Sequence, residues 1–233
     1  MAKANGVAVR VLTQLPGADS SDEEEGAAVD VLVCEVMDPC LVGSTEVGLL
    51  GSGLLKALEE CRTSGVLGPK TVVIPRAARV WAQAIYLPPQ TELVRCPISH
   101  VSTFDLSPFS KFRADGPEPI YLKQLRYTAV TAPFATLLFE LGERGCDVEQ
   151  AVTVLADCLV PATVNAIVFW HELELDAEAS LSGGPSSSSR QGIVMLEQDL
   201  VVGEGLGSLS VTVSLPVTVS HTREDGDDGG FCR

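Results

Sequence analysis

The sequence predicts an α/β layer followed by an antiparallel, β-barrel-like domain. Residues 1–88 read as strand, strand, helix, strand, the order of the second half of a doubly wound sheet. Pro88-Pro89 then breaks the texture. Residues 89–233 hold short segments whose side chains alternate between two faces, which predicts an antiparallel sandwich or barrel.

Each element has a local reason. "GVAVRVLTQL" (6–15) reads as a strand, and "PGADSSDEEEG" after it as a solvated acidic loop. "AAVDVLVCE" is a second strand, rich in β-branched residues. In "GSGLLKALEECRTSG", Leu54, Leu55, Leu58 and Cys61 form one apolar stripe at helical spacing, and Gly65 ends the helix. "GPKTVVIPRAARVWAQAIYLPP" opens with a turn and runs into a long strand interrupted at Pro75. In "VFWHELELD", Phe169, His171 and Leu173 fall on one face and Trp170, Glu172 and Glu174 on the other. "SLSVTVSLPVTVS" alternates almost strictly. "SLSGGPSSSSR" (180–190) reads as a flexible connector and 223–233 as a disordered tail.

With 31 acids against 16 bases the formal charge is −15, which argues against nucleic acid as a direct partner. It suits a cationic partner, or simply solubility. The seven cysteines (Cys34, Cys40, Cys61, Cys96, Cys146, Cys158 and Cys232) are odd in number and lack CxxC spacing. Neither a disulfide framework nor a zinc site is expected, and reduced thiols of a cytoplasmic or nuclear protein fit better. No signal core and no membrane-length apolar run is read.

"VDVLVCEVMDP" (29–39) poses the chemical question. A buried strand ends in Glu35, and strand ends of open α/β sheets face the crevices where ligands bind. A carboxylate there can grip a cation or stand in water.

Several stretches resemble protein arginine methyltransferases, nearest the divergent members with two tandem modules. "KANGVAVRV" is similar to the stretch that follows the methyl-donor site, and "VDVLVCEVMD" to the strand ending in the first glutamate of the family's double-glutamate loop. "VGLLGSGLLKAL" resembles the helix entry after that loop, "LGPKTVVIPRAARVWAQAI" the last sheet strand, and "VSTFDLSPFSKFR" and "VNAIVFWHELELD" barrel segments. The resemblance implies methyl transfer from S-adenosylmethionine to a guanidinium nitrogen of arginine in basic protein substrates. It places Glu35 on the first clamp glutamate, with Glu46 as the nearest spare carboxylate. A rigid guanidinium fork and a carboxylate pair bidentately.

The chain departs from the family at three places. Ser52 stands where the second glutamate belongs. "SSSSR" replaces the barrel's Thr-His-Trp loop, and His171, on an earlier strand, reads as a partly buried structural residue. The glycine-rich donor motif is absent. These departures imply either a fragment or divergent member of the family, with a partner methyltransferase module as one source of the missing half, or a catalytically degenerate module that binds substrate or a partner chain. Trp81 and Trp170 read as core or barrel-wall aromatics.

Overall fold

The computed structural model describes residues 28–34, 54–88, 91, 100–101, 103–105, 108, 117–142, 151–203, 207–214 and 218–223. The expected 6–15 strand and the acidic loop lie outside them, as do Glu35, Glu46, Ser52 and the tail after Arg223.

Strands β1 (Val31–Val33) and β2 (Val72–Ile74) pair in parallel, Val31 with Val72, Leu32 with Val73 and Val33 with Ile74. Helix α1 (Leu54–Thr63) lies in the crossover between them. Leu58 and Cys61, three residues apart on one helix face, are both buried. Leu58 shares an apolar cluster with Val73 and Leu32, so α1 covers one face of the pair. The helix closes at Gly65, whose φ of 77° is a left-handed conformation that favours glycine. Gly68 is required by close approach, since a Cβ there would stand 2.6 Å from the Ala28 Cβ. The Thr71 hydroxyl donates to the Val29 carbonyl at 2.6 Å and accepts from the Gly68 N–H at 3.0 Å, tying this turn to the start of β1.

The chain changes layer at Ile74–Pro75, a cis peptide bond. Strand β3 (Ala77–Tyr86) pairs only with strands of the antiparallel sheet. β3 therefore belongs to the antiparallel sheet and not to the parallel pair. Nine consecutive residues of β3 pair with β10 (Thr163–Glu174), and that long-range ladder draws the strand out of the α/β layer.

The large sheet runs β6 (Glu118–Ile120), β12 (Gln191–Val201), β10, β3, β7 (Thr128–Ala129). β8 (Phe134–Glu140) also pairs with β3, and β11 (Ser180–Ser182) with β10. A second sheet runs β14 (Thr218–Arg223), β13 (Ser208–Ser214), β9 (Ala151–Asp157). A short hairpin joins β4 (His100–Val101) to β5 (Phe104–Asp105). The antiparallel reading of "VSTFDLSPF", "NAIVFWHELEL" and "SLSVTVSLPVTVS" therefore holds over their described strands. Barrel closure does not, because no sheet closes among the described residues. The ladder breaks after β8, and the chain resumes as β9 in the other sheet.

The main core lies between the two sheets and under α1, with Ala78, Val80, Phe139, Ile167, Phe169, Val211 and Val213 buried together. A second cluster on the other face of the large sheet holds Ile85, Leu87, Leu122, Val168, Trp170 and Ile193. Asn165, fully buried, stands at a bulge of β10 against β12. Its amide accepts from the Leu87 N–H at 2.8 Å and donates to the Leu87 carbonyl at 2.9 Å, pairing with backbone as a strand residue would.

Candidate functional site

The parallel ladder extends one residue beyond β1, where the Cys34 N–H donates to the Ile74 carbonyl at 2.9 Å. Both strands thus end together, and Glu35 is the next residue along one of them. On the other, Pro75 leads to Arg76. The Arg76 N–H donates to the Glu174 carbonyl at 2.8 Å and its guanidinium to Glu174 Oε2 at 2.8 Å. The carboxyl edge of the pair therefore abuts the end of β10, between the α/β layer and the antiparallel sheet. The bonding environments of Glu35, Glu46 and Ser52 lie outside the described residues.

Next to this edge the chain pairs its own guanidinium groups with carboxylates. Glu174 also meets Arg79 at 3.5 Å, and Arg79 lies 6.0 Å from the centre of the Trp81 ring. Trp81 Nε1 donates to Glu172 Oε2 at 2.7 Å. Glu172 and Glu174 are thus already engaged, and their partly exposed pairs add little stability. Trp170 is buried and Trp81 half-buried, as the core and wall readings expected.

Part of the 180–190 segment is a strand, β11, paired with the end of β10. The turn after it is held by Gln191, which is 1% exposed. The Gln191 Nε2 donates to the Gly183 carbonyl at 2.7 Å and the Ser189 carbonyl at 2.8 Å, and Oε1 accepts from the Leu122 N–H at 2.9 Å. Arg190 lies 5.3 Å from the centre of the Tyr121 ring. His171 is half-buried on β10, and a Cβ on Gly183 would come within 3.5 Å of its Nε2. The imidazole thus packs against this turn, in keeping with a structural role. Gln191 was not singled out from the sequence, although an amide heading the apolar run "QGIVML" is a signal of a buried, satisfied polar group.

β2 ends at Ile74 and the chain bends through Pro75 and Arg76 into β3, and Gly65, at positive φ, closes a helix. No glycine-rich turn follows a parallel strand among the described residues. Cys34, Cys61 and Cys158 take part in no disulfide. Burial pushes the Cys61 thiol up, the nearby Cys34 and Glu60 add to this, and Arg62 opposes it.

This architecture defines a class: the chain has a protein-arginine-methyltransferase-like fold. A chain of the Trypanosoma brucei PRMT1 enzyme–prozyme heterotetrameric complex with AdoHcy superposes with a TM-score of 0.70 at 16% identity, covering 97% of this chain and 74% of that one. Two structures of PRMT6, one of them with SAH, align at a TM-score of 0.49 over 84% of this chain and 68% of theirs, at 15% and 18% identity. At such identities the likeness is one of fold. No protein-family model matches the sequence, and a comparison with curated proteins finds no match.

Proposed function

We propose that this chain is a module of a protein arginine methyltransferase, working in the cytoplasm or nucleus on arginine-containing basic proteins. The observation that supports this reading is where Glu35 falls in the sequence. It follows a parallel strand whose carboxyl edge abuts the antiparallel sheet, in a fold matched over 97% of the chain by a PRMT1 complex. A carboxylate there accepts the donor fork of a guanidinium and orients one nitrogen. S-adenosylmethionine supplies the methyl group. The net charge of −15 favours encounter with basic substrates.

A partner methyltransferase module completes the donor site in this reading. The enzyme–prozyme pairing of the trypanosome complex supports it. A second reading is a non-catalytic module that holds substrate or a partner chain. Ser52 at the second clamp position and the serine turn before Gln191 favour it.

Calorimetry and a methyl-transfer assay test these readings. The chain alone is expected to bind S-adenosylmethionine more weakly than micromolar. A dissociation constant of about 1 μM or tighter, roughly −8 kcal/mol, would overturn the need for a partner. Transfer to an arginine-rich peptide is expected once a donor-binding module is supplied. Donor binding without transfer would leave the non-catalytic reading standing.

A further inference from the structure

We draw no further inference here: the strongest candidate, the Arg76–Glu174–Arg79 side-chain cluster beside Trp81 where the parallel pair meets the antiparallel sheet, belongs to the site already described and is satisfied by its own ion pairs, with nothing among the described residues to show that it takes a ligand.

Discussion

The Arg62 guanidinium donates through Nη2 to the Gly142 carbonyl at 2.7 Å, a contact across 80 residues. It ties the end of α1 to the end of β8, and so one layer to the other. The same nitrogen reaches the Leu141 carbonyl at 3.4 Å, and Nη1 pairs with Glu59 at 3.3 Å. The Arg62 side chain is 17% exposed, so the bonds form largely out of water.

Removing this tie should be measurable. Arg62→Ala is expected to cost about 1.5–3 kcal/mol, the range for hydrogen bonds to charged groups. Arg62→Lys keeps a charge but not the planar fork, and should lose less. Urea denaturation reads both. A change within about 0.5 kcal/mol for Arg62→Ala, the surface norm, would mean water replaces the contact without loss.

Gln191 offers a sharper local readout. Gln191→Ala leaves the Leu122 N–H and the Gly183 and Ser189 carbonyls without this partner. The expected cost is about 1–3 kcal/mol per group left buried and unsatisfied. Leu122 amide exchange should accelerate with it, while Asn165 and Leu87, outside the turn, keep their protection. Uniform acceleration would indicate global destabilisation instead of release of the turn.

What could be read in the sequence follows the range of the interactions. The helix from Leu54, its glycine stop, the interruption at Pro75 and the alternation through Trp170 and Glu172 are local patterns, and each was legible. The assignment of β3 to the antiparallel sheet was not, because β10 partners it from far along the chain, Ala77 with Glu174 at one end and Ile85 with Ala166 at the other. Closure failed for the same reason: alternation specifies faces, and only long-range pairing specifies whether an edge meets another. Arg62, Asn165 and Gln191 join distant backbone groups, a relation that periodicity does not encode. At the site, the strand before Glu35 was legible, and its ladder runs as far as Cys34 and Ile74. What Glu35 and Glu46 touch lies outside the described residues.

Asp176 carries a pH signature. Its Oδ1 accepts from the N–H groups of Glu178 and Ala179, both at 2.7 Å. These bonds favour the ionised form and hold its pKa below the usual carboxylate range, with Arg76 adding slightly. The folded pKa thus lies below the unfolded one, and the folded state binds fewer protons between them. The contribution is present above the unfolded pKa, about 3.9, and is lost as pH falls through the folded value. Carboxyl NMR should find Asp176 titrating lower than an ordinary aspartate. A midpoint at or above about 3.9 would mean the turn does not hold in solution.

The Cys61 thiol should be protected. It is 5% exposed and its pKa is raised chiefly by burial, so thiolate is scarce at neutral pH. Iodoacetamide on the native chain should label Cys61 far more slowly than after unfolding in urea. Equal rates in the two states would show that α1 opens freely from the parallel pair.

Glu35 decides the functional reading. If its carboxylate holds a substrate guanidinium, the bond is charge-assisted and bidentate, worth on the order of 1.5–3 kcal/mol. Glu35→Gln keeps the shape and removes the charge. In an assembly with a donor-binding module, it should lower methyl transfer about tenfold or more, since 1.4 kcal/mol is a factor of ten. Donor affinity and folding should hold. Ser52→Glu restores a second carboxylate at the position the family resemblance assigns, and should raise transfer or lower KM for an arginine peptide. An active assembly indifferent to Glu35→Gln would place this carboxylate in solvent. The non-catalytic module would then be the better account of the chain.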